Sequence, residues 1–427
     1  MRYNSIDNIL FIKNRQYFFD KMESNSIAVF HSNDLMPANA DGTMPFKHYS
    51  VLFYLSGIDQ EESVLVLIKD KKEQVNSYLF LKETSDLIAI WEGHKLSIDQ
   101  AKLNSGIENC FWLDNFEQMI QSLIYGVDNV YLNMNEHARS TKEVETRNDR
   151  FIKWCQQEFP LHNYKRSAPI LHQLRFIKSK QEIALIEEAG RITGKAFNRM
   201  LKFIKPNVYE YEIEAEIIHE FLINRSRGHA FQPIVASGKD SCVLHYLENN
   251  KECKDGDILL LDFGAEYANY NGDISRCVPV NGKFSPRQKE VYNAVLTVKK
   301  AAEKLLVVGN TFAEYNKSVV KIMEQELIKL GLFTQEELDN QDPKKPLYRN
   351  YFMHGISHSL GLDVHDVDDR SMPFTQGMVF TCEPGIYILE ESIGVRLEDD
   401  ILITEQGPKN LTSHIPIEVR EIEELMK

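Results

Sequence analysis

The sequence predicts two domains: an N-terminal α/β domain over residues 1–172 and a second domain of mixed helix and strand over residues 173–427. Three observations lead there. A chain of 427 residues is longer than one hydrophobic core usually serves. Its first third alternates short apolar runs, rich in β-branched residues, with polar helical stretches, as a mixed sheet flanked by helices does. Near residue 170 a proline-containing connection is followed at once by a helix-start signal.

Taken in order, the runs SIAVF (26–30), VLFYLSG (51–57), SVLVLI (63–68), SYLFL (77–81), DLIAIW (86–91) and NVYLN (129–133) have strand length and are broken by Gly, Asp and Asn. Each is expected to be a strand. RSAPIL (166–171) reads as a connection, because Pro169 restricts the residue before it and lacks a donor. Ser179 with Glu182 forms a capping box, opening a helix whose apolar stripe is Ile183, Ile186, Ala189, Ala196 and Met200. GDILLLDFGAEYANYNGDISRCVPV (256–280) predicts two strands joined by a turn centred near Tyr267 and Ala268, which would bring Asp262 and Asp273 opposite each other. Ser285 followed by Pro286 opens another helix, with Val291, Val295, Val298, Ala302 and Leu305 as its buried stripe. The polar segment 335–350 reads as a surface loop. Both helices are expected to be scaffold.

Composition excludes several function classes. With 43% hydrophobic and 26% charged residues the chain is a folded globular protein. A net charge of −14, spread along the chain, repels nucleic acid and anionic membrane, so neither is expected as a partner. Six dispersed cysteines without a CxxC pair fit reduced thiols. The N-terminal stretch carries scattered charges without an uninterrupted apolar core, and no run approaches the roughly 20 apolar residues of a membrane helix. A cytoplasmic protein is expected.

The chemistry concentrates late in the chain. MHGISHSLGLDVHDV (353–367) holds three histidines, and imidazole is a strong ligand for borderline metals. The neighbouring glycines and serine argue against a helical His pair. An acid ending an apolar strand, such as Asp262, is costly unless compensated, and two acids facing each other repel. A divalent cation would resolve both difficulties; solvated turns would resolve them too. In TCEPGIYI (381–388) Glu383 follows the apolar run MVF, and in GVRLEDDILIT (394–404) period-two spacing sets Arg396, Glu398 and Asp400 on one face of a strand. An Arg396–Glu398 ion pair would account for part of this. Together Asp262, Asp273, one histidine, Glu383 and Glu398 supply four carboxylates and an imidazole, a set suited to a binuclear site.

The ordered series DFGAEYANYNGDISR, HGISHSLGLDVHD, TCEPGIYI and GVRLEDDILIT resembles that of the pita-bread metallopeptidases, most closely the Xaa-Pro aminopeptidase (aminopeptidase P) family. MPFKHYSVLFYLSGIDQEESVLVL (44–67) is similar to the family's N-terminal domain, and FQPIVASGKDSCVLHYLENN (231–250) to the segment before the first acid, so the resemblance covers nearly the whole chain. It implies an α+β pita-bread catalytic domain after an N-terminal domain that limits substrate length and mediates oligomerisation as a homodimer or homotetramer. It implies metal ligands Asp262, Asp273, His358, Glu383 and Glu398, with Asp273 and Glu398 touching two ions. Glu383, His354 and His365 match catalytic positions; His245, His354, His365, Tyr387 and Arg396 match the substrate side. Oxygen-rich ligation with one imidazole favours two Mn²⁺, with Co²⁺ or Zn²⁺ as substitutes. The implied substrate is a peptide with proline in the second position, cut after residue one by a hydroxide bridging the ions. Two departures, Ser359 and Asp368, bear on pocket shape rather than on ligation. A prolidase of the same fold, cutting only dipeptides, is the nearest alternative; a non-catalytic binding module would not be expected to keep all five ligands.

Overall fold

The six strands of the N-terminal half form one mixed sheet. They are β1 (Ser26–His31), β2 (Val64–Lys69), β3 (Val75–Leu81), β4 (Asn109–Trp112), β5 (Asn129–Leu132) and β6 (Asn163–Arg166), in the order β4-β3-β2-β1-β5-β6. β1, β2 and β3 pair antiparallel, whereas β4, β5 and β6 each join in parallel. β1 is buried along its whole length, as a central strand covered on both faces must be. Helices α1 (Ile9–Lys21), α2 (Ser50–Ser56), α3 (Asp86–Glu92), α4 (Ile98–Ser105), α5 (Asn115–Tyr125), α6 (Arg147–Glu158) and α7 (Ala168–Phe176) connect or flank the strands. This is a computed structural model; it describes residues 2–140 and 143–427. The chain divides into two units, Asn4–Arg175 and Phe176–Lys427, the latter also taking in Arg2 and Tyr3.

Three sequence expectations fail here. VLFYLSG is the helix α2, ended by Gly57 in the left-handed conformation (φ 69°), where a Cβ would lie 2.3 Å from the Phe11 ring. A run apolar on every side suits a fully buried helix as well as a buried strand, and all seven residues of α2 are buried. DLIAIW is the helix α3, because Ser85 caps it by accepting from Ile88 N–H and Asp86 sits in its first turn. RSAPIL enters α7, with Pro169 in the first turn, where its missing N–H is no loss. The four-residue strands β4 and β6 were too short to stand out, and β6 is polar as well.

The second unit opens with α8 (Lys180–Leu201), whose capping box is formed as expected, followed by α9 (Glu210–Ile223). Of the expected stripe Ile186, Ala189, Ala196 and Met200 are buried, and Ile183 lies at its margin. β7 (Gly228–His229), β8 (Ile234–Ser237), β9 (Ile258–Phe263), β10 (Ala265–Tyr267), β11 (Tyr270–Asn271) and β12 (Ile274–Pro279) form two small antiparallel sheets, β12-β9-β8 and β11-β10-β7. α8 packs on the second: Thr193 Oγ1 accepts from Ala265 N–H at 2.9 Å. α10 (Pro286–Leu305) has the expected cap with Pro286 at its start, and α11 (Phe312–Lys329) follows. The segment read as a loop contains the short capped helix α12 (Gln335–Asp339) and a 3₁₀ turn at Leu347–Asn350. β13 (Val379–Cys382), β14 (Gly385–Ile388), β15 (Ile393–Arg396), β16 (Asp399–Thr404) and β17 (Gly407–Asn410) complete the strands, paired as β13-β16-β17 and β14-β15 before the terminal helix α13 (Val419–Leu425).

Candidate metal centre

β9 and β12 are two arms of one long hairpin whose turn is Ala268–Asn269, both left-handed (φ 52° and 68°), as a two-residue primed turn requires. The turn lies one residue later than the sequence suggested. Asp262 therefore pairs with Ser275, and Asp273 lies diagonally from it. A two-residue slip in register preserves the face, so both acids still converge. The arms touch at Gly264 and Gly272: a Cβ on Gly264 would sit 1.7 Å from Gly272 O, so only glycine fits there.

His358 arrives from an irregular segment that runs along β13. His358 O accepts from Thr381 N–H, Ile356 O from Glu383 N–H, and Ser359 bridges Phe380. These main-chain bonds set the imidazole beside Glu383. Arg396 ends β15 and Asp399 begins β16, and Glu398 lies between, where the chain passes from the strand paired with β14 to the strand paired with β13. The face shared by Arg396, Glu398 and Asp400 turns toward β12: Glu398 N–H donates to Ser275 O at 3.1 Å, and Asp400 Oδ2 accepts from Asp273 N–H at 3.2 Å.

Asp273, His358 and Glu398 each offer a ligand atom, all within 4.8 Å of one another. His358 Nε2 is 3.5 Å from Asp273 Oδ2 and 3.7 Å from Glu383 Oε1. Its Nδ1 donates to Ser359 O at 3.0 Å, which turns Nε2 toward the two carboxylates. Arg396 Nη2 donates to Asp262 Oδ2 at 2.5 Å, Nη1 to Tyr387 OH at 2.9 Å, and Nε to Ser275 Oγ at 2.8 Å. Ser275 O–H in turn donates to Glu398 Oε2 at 2.7 Å. His354 Nδ1 lies 2.8 Å from Gly355 O and 3.4 Å from Glu383 Oε2, which makes it the protonated nitrogen. His354 Nε2 is then the acceptor of Tyr387 O–H at 2.8 Å.

The electrostatics point the same way. Burial pushes Asp273 and Glu398 well above the usual carboxylate range, and mutual repulsion among Asp262, Asp273, Glu383 and Glu398 adds to it. Asp262 is raised chiefly by burial, against the pull of Arg396. For Glu383 burial acts upward too, but the hydrogen bond from His354 and the charges of His358, His354 and Arg396 outweigh it and hold the carboxyl at about 2. Asp262 Oδ1 and Asp273 Oδ1 are buried without a hydrogen-bond partner among the described residues. Orphaned carboxylate oxygens, an imidazole turned toward them and an excess of acid over base are what divalent cations would satisfy. The residues present fit such ions.

The structure thus brings together Asp262, Asp273, His354, His358, Glu383, Tyr387, Arg396 and Glu398. His365 stacks over His358 with ring centroids 4.2 Å apart and is exposed on its other side. His245 is exposed on the segment after the 3₁₀ turn Gly238–Cys242 and is not drawn into this hydrogen-bond network. Ser275 was missed in the sequence. It joins Arg396 to Glu398, and its position two after Asp273 on an alternating strand was the available signal. Also missed was the support beneath Glu398. Buried Arg276 donates to Glu398 O at 2.5 Å and Asp399 Oδ1 at 2.6 Å, and Lys299 meets Asp399 from α10. The departure Ser359 is met by the buried pair Lys178–Asp366, Lys178 Nζ lying 3.3 Å from Ser359 Oγ and 3.2 Å from Asp366 Oδ2. The other departure, Asp368, pairs with Arg370.

Residues 184–405 match the model of metallopeptidase family M24, and residues 11–131 match the aminopeptidase P N-terminal domain. The chain is 37% identical over 431 residues to Xaa-Pro aminopeptidase of Escherichia coli (strain K12), covering 97% of each, and 36% identical over 428 residues to that of Haemophilus influenzae, covering 97% and 96%. Among solved structures it superposes on Escherichia coli aminopeptidase P with the inhibitor Pro-Leu (TM-score 0.90, 36% identity) and on the zinc-substituted enzyme in complex with product (TM-score 0.89, 35% identity), covering 99% of both chains in each case.

Proposed function

The chain belongs to metallopeptidase family M24 with an aminopeptidase P N-terminal domain and the pita-bread fold, and from this premise we propose that it releases the first residue of peptides bearing proline in the second position. The observation that carries the reading is Glu383, held ionised between His354 and His358 at the edge of a buried acidic cluster.

Asp262, Asp273, His358, Glu383 and Glu398 would hold two divalent ions. The oxygen-rich donor set favours Mn²⁺, with Co²⁺ or Zn²⁺ as substitutes. When bound, such ions lower the pKa of water and polarise the scissile carbonyl. Glu383 accepts the proton of the attacking water and delivers it to the departing proline nitrogen. His365, on the open side of His358, donates a hydrogen bond to the oxygen that gains charge, and His354, whose Nε2 is held by Tyr387, steadies Glu383 through its Nδ1. Arg396 fixes Asp262, Tyr387 and, through Ser275, Glu398, so one guanidinium orients both ligands and pocket wall. His245 lies on the substrate side. Proline at position two has a fixed φ and no N–H, which a rigid pocket can demand. The N-terminal domain limits substrate length and carries a homodimer or homotetramer interface. Six unpaired cysteines favour the reducing cytoplasm, and among the described residues no helix is long and apolar enough to cross a membrane.

The test compares Xaa-Pro dipeptides with Xaa-Pro-Yaa tripeptides, using chelator-treated protein with and without Mn²⁺ and Glu383→Ala as control. Mn²⁺-dependent release of residue one from tripeptides is expected, lost in the variant. Cleavage confined to dipeptides would instead indicate a prolidase, and absence of turnover with any metal would remove the catalytic reading.

A further inference from the structure

His358 immediately precedes the loop 359–366, and His365 lies near its far end, their ring centroids 4.2 Å apart. One carbonyl ties both to the same point: Ser359 O accepts from His358 Nδ1 at 3.0 Å and from Asp366 N–H at 2.9 Å. Within the loop Gly361 N–H donates to Asp363 O at 3.1 Å, and Gly361 O accepts from the main-chain and side-chain amides of Asn271, both at 3.0 Å. His358 is also held independently of the loop, since its N–H donates to Thr381 Oγ1 at 3.1 Å and its carbonyl accepts from Thr381 N–H at 2.9 Å. His365 belongs to no helix or strand.

A buried cation meets both ends of this loop. Lys178 Nζ is 3.2 Å from Asp366 Oδ2, 3.3 Å from Ser359 Oγ and 3.5 Å from Phe176 O. An ammonium has three hydrogens and accepts none, so these three oxygens occupy all of its donors. The two charged side chains are only 1% and 2% exposed, out of reach of screening by water. Lys178 is itself a fixed point: its N–H donates to Gly377 O at 2.8 Å, and Ser179 beside it caps α8. Gly361 leaves the room for this approach, since a Cβ there would lie 2.2 Å from Asp366 Oδ2 and 3.0 Å from Lys178 Cε. A buried ion pair adds little stability over apolar residues of the same volume, but its hydrogen bonds have direction. It is therefore suited to setting a position.

We propose that Lys178 is a positioning residue for the peptidase reaction: through Asp366 and Ser359 it sets the place of His365, while His358 and the carboxylate ligands keep theirs. The inference rests on the role of His365 as donor to the oxygen that gains charge. Asp366 directly follows His365, so a carboxylate fixed inside the fold fixes the main chain from which that imidazole projects. Displacing a catalytic group by about 1 Å can cost on the order of a hundredfold in rate. Because the bond from His365 matters only as charge develops, its loss falls on kcat and leaves KM alone.

The test uses the full-length protein and the variants Lys178→Met, His365→Ala and their combination, comparing kcat and KM on an Xaa-Pro-Yaa tripeptide, Mn²⁺ affinity by calorimetric titration, and amide hydrogen exchange of the metal-free protein. Lys178→Met is expected to lower kcat about tenfold with KM nearly unchanged. In the His365→Ala background the same change should add less than about twofold, because residues that act through one group do not multiply their effects. Mn²⁺ affinity should stay within about twofold of the parent, as for a site that is not shared. Exchange should rise in 359–366 and not in β13. Asp366→Asn, which keeps the shape and removes the charge, should show the same pattern and serves if Lys178→Met does not fold. The proposal is overturned if kcat stays within about twofold of the parent, if the losses multiply in the combined variant, if Mn²⁺ affinity falls in step with kcat, or if exchange in 359–366 is unchanged. A parent that turns over no Xaa-Pro peptide would defeat the peptidase reading and this role with it, whereas the exchange result reports separately on whether Lys178 holds the loop.

Discussion

Asp399 stands between two buried cations, Arg276 and Lys299, and directly follows a candidate ligand. Burial would raise its carboxyl, but the two positive charges overcome this and hold it well below the usual range. Asp399→Ala leaves both cations without their shared anion in a dry interior, so unfolding free energy should fall by about 3–5 kcal/mol, measured by denaturant titration. Because Arg276 also holds Glu398 O, metal affinity should fall in the same variant. A loss below about 1 kcal/mol would show the cluster to be hydrated. Gly264 makes the opposite point: here the missing side chain is what counts. Gly264→Ala would force its Cβ to 1.7 Å from Gly272 O, part the two arms of the hairpin and separate Asp262 from Asp273, so soluble yield and metal binding should fall together.

At the scale of elements, β1 ends in a histidine whose titration is coupled to folding. The His31 pKa falls from 6.5 to about 3 in the folded protein, so between those values the unfolded chain binds more protons than the folded one. Its contribution to stability is complete above pH 6.5 and is lost as pH falls through the window toward 3, by up to about 1.4 kcal/mol per pH unit. The N-terminal unit of His31→Phe should therefore show a shallower acid-side loss of stability than the parent, followed by tryptophan fluorescence; parallel curves would mean that His31 is hydrated. Elements also show where the sequence was legible. The capping boxes at Ser179 and Ser285 carry local hydrogen-bond chemistry and were readable in place. VLFYLSG and DLIAIW were not readable as helices, because an apolar run has no period when every side is buried, and because the Ser85 cap outweighs the strand character of the residues after it.

For the whole molecule, the two units predict separable responses to metal. The candidate ligands all lie in Phe176–Lys427, and all three tryptophans lie in Asn4–Arg175. An ion that binds only the folded state stabilises by RT ln(1 + [L]/Kd), about 2.7 kcal/mol at a hundredfold excess over Kd. Saturating Mn²⁺ should raise the calorimetric transition of the second unit, and a chelator should lower it. The fluorescence transition should stay where it is; equal shifts in both would mean that the units unfold as one.

The sequence by itself determined the two-part organisation, the capped helices, the strand pattern around Asp262 and the set of acids and histidines in question. These are written in local terms, as composition, period two or 3.6, and caps. Only the tertiary structure decided the hairpin register, in which Asp262 faces Ser275, and the bond from Arg396 through Ser275 to Glu398. It also decided the main-chain carbonyls that orient His354 and His358 and the support of Asp399 by Lys299 from α10. The physical reason is distance along the chain. Ser275 and Glu398 are 123 residues apart, and a hydrogen bond between them exists only once two sheets have packed, which no local pattern encodes.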